Sequence, residues 1–548
     1  MKESSSVTVS DLIVKEFEAA GIRYAFGLPG TQINPLLNAI RSSSVKYLNV
    51  RDEGAAAMMA SAYSELSGEI SVCLGIVPGA IKMLNGLYVA KVNRSPVLAI
   101  TGTVSRKHMY SEYTQELDVH SLYKDVALFN AIVTDPSSTE KLVRMAIVTA
   151  KSRRGVSHLT IPEDVLEAEL SEIAENSEKQ PIERKTEASF PPYALTRKVD
   201  NEIIDKMVEL LEKYERAILL VGKGGRGARE YIATLSEKLS IPVFSTFPGR
   251  SSIKSNTKNY FGVLWIFSPR AYQVMRECEL IILVGTDYPY INEFMHDNLH
   301  VIQIDVDQQN IGKRCKVDIG VVGDAKDILE ALTKKITLIR RDNDFLNYVK
   351  EIYSPYMEEL KKLTESKSKP INIYYLIKKL ESKVENDAII TTGAGTHEIF
   401  LAQAFEPINH IMLTNHRYAP VGSGLPKAIG AKLAVPEKQV INFEGDLSFQ
   451  VCMPELITAK QYDVEVKNII VNNGKQLAIK LEQVIRGYDE FATDIGYFDF
   501  VKFAEACGVK GVRVDDPNEL DWALDEILSV KGPALLDVVV DPNQLPLF

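Results

Sequence analysis

Short apolar runs recur along the whole chain, each closed by Gly, Pro or a small polar residue, and longer segments with apolar positions three and four apart separate them. Runs such as Ala217–Val221, Leu280–Val284 and Val466–Val471 have strand length and little polar alternation, the pattern of strands buried on both faces. The spacing predicts strands near Tyr24–Phe26, Tyr47–Val50, Ile70–Leu74, Val97–Thr101 and His158–Ile161 in a first block. A second block has Ala217–Val221, Pro242–Ser245, Leu280–Val284, Val301–Ile304 and Ile319–Val321. A third has Ala388–Thr392, Ile411–Leu413, Val440–Phe443, Asn468–Val471 and Leu535–Val539. Alternating strands and helices imply an α/β protein with three doubly wound, mostly parallel sheets joined by right-handed crossovers. Polar, charged stretches over Ser171–Pro192 and Lys334–Lys369 mark the joints. The expected domains are therefore 1–170, 193–333 and 370–548, with helix inside the second joint.

Composition narrows the class. With 548 residues and a net charge of −10, the chain is long enough for several cores, and its charge suits solubility rather than nucleic-acid binding. No apolar run approaches the roughly 20 residues that span a bilayer. The polar start Met1–Ser6 has no apolar signal-peptide core, so a cytoplasmic protein is expected. Five scattered cysteines without a C-x-x-C pair argue against a disulfide framework or a zinc site.

The densest chemistry lies in the third block. Glu444-Gly445-Asp446-Leu447-Ser448 closes one predicted strand, and Asn472-Asn473-Gly474-Lys475 closes the next, with Asn473 27 positions after Asp446. Ligands of open α/β sheets bind at such strand ends. A carboxylate from Asp446, the amide oxygen of Asn473 and a backbone carbonyl, placed at Lys475, suit a Mg²⁺ that completes its octahedron with phosphate oxygens and water. A polar strand-end turn followed by an Asn-Gly turn would read the same way. Upstream, Thr392-Gly393-Ala394-Gly395-Thr396-His397 offers backbone N–H groups at a helix start to diphosphate oxygens, as would a plain helix-capping turn. Glu53, in Arg51-Asp52-Glu53-Gly54, follows a predicted strand and opens an Ala-rich helix. Its alternative reading is an acid stabilised by the helix dipole.

The middle block carries Gly222-Lys223-Gly224-Gly225-Arg226-Gly227 after a strand. The following strand ends in Thr246 rather than an acid, which weakens a nicotinamide fingerprint. Gly285, Asp305 and Asp324 also stand at strand ends, and together these positions would receive an extended dinucleotide with the acids on ribose hydroxyls.

Taken together, the Gly-Asp…Asn signature and the upstream glutamate resemble the thiamine diphosphate enzymes: pyruvate oxidases, acetolactate synthases and 2-oxo-acid decarboxylases. The likeness runs from about Val7 to Asp541 and is nearest to pyruvate oxidases. It implies that Glu53 activates the aminopyrimidine, that Gly445 and Ser448 flank the metal ligand, and that Val421 supports the bent cofactor. Gln115 would face substrate, Ile479 would line the pocket and Glu482 would manage protons. The middle block resembles a flavin domain, which implies FAD beside thiamine diphosphate and Mg²⁺. The expected reaction is oxidative decarboxylation of pyruvate or a similar 2-oxo acid. The alternatives are an acetolactate synthase-like ligation and a non-oxidative decarboxylation. The resemblance further implies a homodimer or homotetramer, and the ending Asp541–Phe548 no stable membrane anchor. Three positions depart from the family pattern: Leu447 replaces a glycine, and Thr114 and Ala478 stand where oxidases place aromatic residues.

Overall fold

The computed structural model describes residues 7–170, 199–254, 257–341, 343–414 and 416–548. The joint expected over 171–192 lies outside them. Three six-stranded parallel sheets carry the described chain, so the α/β class holds. The first sheet contains β1 (Tyr24–Gly27), β2 (Lys46–Asn49), β3 (Ser71–Ile76), β4 (Val97–Thr103), β5 (Ala127–Ile132) and β6 (Val156–Pro162), in the order β2-β1-β3-β4-β6-β5. The second contains β7 (Ala217–Val221), β8 (Val243–Ser245), β9 (Tyr260–Val263), β10 (Leu280–Val284), β11 (His300–Asp305) and β12 (Ile319–Val322), in the order β12-β11-β10-β7-β8-β9. The third contains β13 (Ile389–Thr391), β14 (Ile411–Leu413), β15 (Val440–Gly445), β16 (Lys467–Asn472), β17 (Lys510–Val514) and β18 (Ala534–Val539), in the order β14-β13-β15-β16-β18-β17.

The first and third sheets thus share one strand order. The second has the order of dinucleotide-binding sheets, reversing between β7 and β10. Each sheet has one strand more than the hydrophobic pattern predicts. The extra strands, β5, β9 and β17, are all at sheet edges, where one side stays open and mixed sequences such as Lys510-Gly-Val-Arg-Val514 are tolerated. The second joint carries the helix Asp344–Glu365, capped by the Asn343 side chain.

The central strands are buried because their runs are apolar on both faces: every residue of β7 and β10 is buried. The helices Glu53–Ser67 and Gly424–Ala434 pack directly against each other and join the first and third sheets in one core. Small residues permit this approach, since a Cβ on Gly430 would sit 2.2 Å from the Met59 carbonyl oxygen. Among the described residues no helix is long and apolar enough to cross a membrane.

Candidate active site

At the carboxyl ends of the third sheet's central strands lies a cavity of about 170 Å³ lined by Gly395, Thr396, Val421, Gly445–Ser448, Asn473, Lys475 and Ile479. Asp446 opens the helix Asp446–Cys452 directly after β15. Its carboxylate accepts the amides of Leu447 at 2.8 Å, Asn473 at 3.0 Å and Gly474 at 2.7 Å. Burial nevertheless pushes its pKa up to about 6: three N–H groups do not replace the water that a 3 % exposed carboxylate has lost. A cation at this point would supply the missing charge. The Asn473 amide oxygen, which accepts the Lys475 amide at 3.0 Å, stands in the same wall. Among the described residues no cluster of three His, Cys, Asp or Glu side chains could hold a metal. The available donors are therefore one carboxylate, one amide and carbonyls, a set that leaves most of an octahedron to phosphate and water.

The lysine at 475 contributes backbone only, because its ammonium is tied to Glu490 at 2.7 Å and Asp494 at 2.9 Å. Gly393 lies under the wall rather than in it. A Cβ there would meet Ser448 Oγ at 2.1 Å and Glu444 Oε1 at 2.3 Å. The Ser448 hydroxyl is likewise committed, donating to Glu444 at 2.6 Å and accepting from the Gly422 amide at 3.0 Å. Glu444, fully buried, also accepts the amides of Gly424 and Leu425, and so ties the strand-end turn to the neighbouring helix. Glu482, one turn beyond Ile479, is solvent-exposed and is not among the residues lining this cavity.

His397 is the last residue of the predicted diphosphate cradle, and its side chain, to which sequence reasoning gave no role, lines the cavity. Its Nε2 lies 3.1 Å from the Gly393 carbonyl, so Nε2 carries the proton and Nδ1 is left as an acceptor. Burial lowers its pKa to about 4. At neutral pH it is an uncharged part of the wall and supplies no cation for phosphate.

Glu53 and Gln115 are elsewhere. Glu53 begins the helix Glu53–Ser67 behind an Asp52 cap. The turn before it is pinned to the third sheet's helices: Glu455 Oε1 accepts the amides of Arg51 at 2.9 Å and Asp52 at 3.0 Å. Glu53 is 5 % exposed, and its Oε2 is buried without a hydrogen-bond partner. It lies against Gly79, where a Cβ would come within 2.1 Å of its Oε1. Gln115, exposed and at φ 61°, accepts from the Gln32 amide at 3.1 Å. Neither lines the cavity of Asp446.

A second, larger cavity of about 540 Å³ opens at the β7/β10 reversal. Gly224, Thr246, Gly285, Asp305 and Asp324 line it. Gly222 does not: it lies where the two strand-end turns touch, its added Cβ meeting the Gly285 carbonyl at 2.5 Å. Gly285 itself takes φ 61° with Gly224 against it, so the turn needs glycine for both reasons. Asp305 is held by Asn310 at 2.9 Å and by Arg94 at 3.6 Å. Asp324 caps the following helix through the Lys326 amide. The wall also holds cations that the strand pattern did not flag, Arg154, Lys223, Arg314 and Arg417. Arg154 and Arg417 come from the first and third sheets' own segments, so only the assembled fold shows their convergence.

Comparison with known proteins agrees with this geometry. Residues 7–122, 204–332 and 393–538 match, in turn, the N-terminal TPP binding, central and C-terminal TPP binding domains of thiamine pyrophosphate enzymes. A putative thiamine pyrophosphate-containing protein of Bacillus subtilis, YdaP, is 32% identical over 98% of this chain and 92% of its own. A probable acetolactate synthase large subunit of Methanococcus aeolicus is 30% identical over 97% and 92%. Pyruvate oxidase of Lactiplantibacillus plantarum is 27% identical over 98% and 89%.

Proposed function

Because the chain belongs to the thiamine pyrophosphate enzyme family, we propose that it oxidatively decarboxylates pyruvate or a close 2-oxo acid, with FAD as electron acceptor. The observation that carries this reading is the pair of cavities. One surrounds a buried, cation-seeking carboxylate, and the other opens at the reversal of a dinucleotide-type sheet.

The residues present fit the groups the family implies. When bound, thiamine diphosphate supplies a carbon nucleophile and an electron sink for decarboxylation. Asp446, the Asn473 amide and the Lys475 carbonyl would hold Mg²⁺ against the diphosphate. The Gly395–Thr396 turn, opening the helix Thr396–Ala404, would direct N–H groups at the phosphate oxygens. Val421 and Ile479 would supply apolar walls that orient the ring and exclude water. The unpartnered Oε2 of Glu53 is an acceptor awaiting a donor, as an aminopyrimidine nitrogen would provide. Since Glu53 is not in the wall of its own chain's Asp446 cavity, a second copy would bring its Glu53 there, and the working unit is a homodimer or a dimer of dimers. Glu482, with its exposed carboxylate, would exchange protons with substrate only in that assembled site.

Ligation of the decarboxylated fragment to a second oxo acid is the competing reading. It is favoured by the acetolactate synthase relative's 30% identity against 27% for the pyruvate oxidase. An anaerobic visible spectrum with thiamine diphosphate, Mg²⁺ and pyruvate separates the two. Bleaching of bound flavin is expected for the oxidase reaction. Flavin that stays oxidised while acetolactate accumulates would establish the ligase.

A further inference from the structure

The two cavities share one stretch of backbone. His416 and Arg417, just past β14, line the larger cavity, and Val421, four residues beyond Arg417, lines the smaller. The intervening residues are not slack. Tyr418 stacks on Tyr88 with ring centroids 5.5 Å apart. Ala419 is held at φ 53°, a left-handed conformation that strains an alanine. Gly422 is fixed through its amide to Ser448. A segment so short and strained transmits a shift at one end to the other, because no flexible residue lies between them to absorb it.

The far end has its own anchors. One carboxylate oxygen of Asp287 is shared by Arg417 at 3.1 Å and Arg314 at 3.4 Å. The His416 ring lies 4.3 Å from that of Phe247, and its Nδ1 is 3.8 Å from Glu398. Asp287 is 7 % exposed, and its single charge does not balance two guanidinium groups. Elsewhere in the wall Lys223 is paired with Glu65 at 3.0 Å and Arg94 with Asp307 at 3.0 Å, so the unbalanced positive charge is concentrated at Arg314 and Arg417. That excess of positive charge, with Arg forks in place, suits a diphosphate ester.

We propose that Arg417 binds the diphosphate of a dinucleotide in the larger cavity, and that the segment His416–Val421 thereby couples this cavity to the thiamine diphosphate site. The inference rests on the reading of the larger cavity as the FAD site. With the dinucleotide in place Arg417 is pinned from two sides, and the stiff segment carries that constraint to Val421, setting it against the ring it supports. Thiamine diphosphate then meets a wall already set in its bound position. Because coupling between two binding sites is reciprocal, each ligand must tighten the other by one common factor.

The test is calorimetric titration of the full-length apo protein with FAD, with and without thiamine diphosphate and Mg²⁺, and the converse titration. The expected result is a Kd for each ligand lowered by the same factor, about 5- to 150-fold. Arg417→Ala should weaken FAD binding and bring that factor close to one, and Arg417→Lys should restore part of it. Ala419→Gly relaxes the strained residue without touching either cavity. It should lower the factor while the FAD Kd measured alone stays within about twofold. FAD binding with one Kd regardless of thiamine diphosphate, or full coupling in Arg417→Ala, would overturn the proposal and leave the FAD site standing. No FAD binding at all would overturn both.

Discussion

Glu53→Gln is the substitution that most directly separates function from stability. In the unliganded protein the Glu53 carboxylate is 5 % exposed and one of its oxygens has no partner. A buried acceptor left unmade costs about 1–3 kcal/mol, and more when it carries charge. Glutamine has nearly the same shape and still fits against Gly79, but it removes the charge that burial penalises. The variant should therefore be more stable than the parent without cofactors, by about 1–3 kcal/mol, seen as a higher urea midpoint in far-UV circular dichroism. If the carboxylate activates the aminopyrimidine, the same change should lower the decarboxylation rate by about 10²- to 10⁴-fold at saturating cofactor. A variant that unfolds earlier than the parent would refute the idea that the native carboxylate is held at a cost. One that keeps more than about a tenth of the activity would refute its role as the activating acid.

Gly79→Ala should act on the same carboxylate, since the new methyl would sit 2.1 Å from Oε1. A loss of about 1–3 kcal/mol is expected, largely recovered in the double variant with Glu53→Ala, and denaturation of all four proteins closes the cycle. Asp446→Ala should abolish Mg²⁺-dependent binding of thiamine diphosphate, raising its Kd about 100-fold or more, read by calorimetry. His397 supplies a pH signature. Burial holds it at about 4 in the folded protein against an ordinary 6.5, so the unfolded chain binds more protons between those values. The His397 contribution to stability should fall by about 3 kcal/mol as pH drops from 6.5 toward 4, while Asp446, held at about 6 against an ordinary 3.8, contributes in the opposite direction over the same window. The difference in Tm between parent and His397→Gln isolates the histidine: it should change in favour of the variant as pH falls, and a difference that does not vary with pH over that window would contradict the assignment.

The fold was readable because its central strands are buried on both faces and so appear as unbroken apolar runs, Leu280–Val284 being the clearest. The strands that escaped, β5, β9 and β17, are edges whose apolar residues are interrupted by Asn130, by Gly262 and by Arg513 respectively. The turn chemistry was readable for the same local reason. Asp446, Asn473, Thr246, Gly285 and Asp305 each end a strand, and a parallel sheet delivers its strand ends to one rim. Gly222 and Gly393 were misplaced by one layer, because a motif cannot say whether a missing side chain makes room for a ligand or for a neighbouring turn. Arg154, His416 and Arg417 left no signal, being single residues brought to the larger cavity from other parts of the chain.

The shared strand order of the first and third sheets gives these placements a common logic. β2 and β14 occupy the same place in their sheets, and the helices that follow them, Glu53–Ser67 and Gly424–Ala434, pack against each other. The first connection is short and ends on an acid, Glu53. Its counterpart is longer and carries His416, Arg417 and Val421 past both cavities before its helix begins. On the proposed reading, one topological position serves proton handling in one sheet and bridges two binding sites in the other. Shortening the connection after β14 to match that after β2 would therefore remove walls from both cavities while leaving the packed helices, and the core they close, in place.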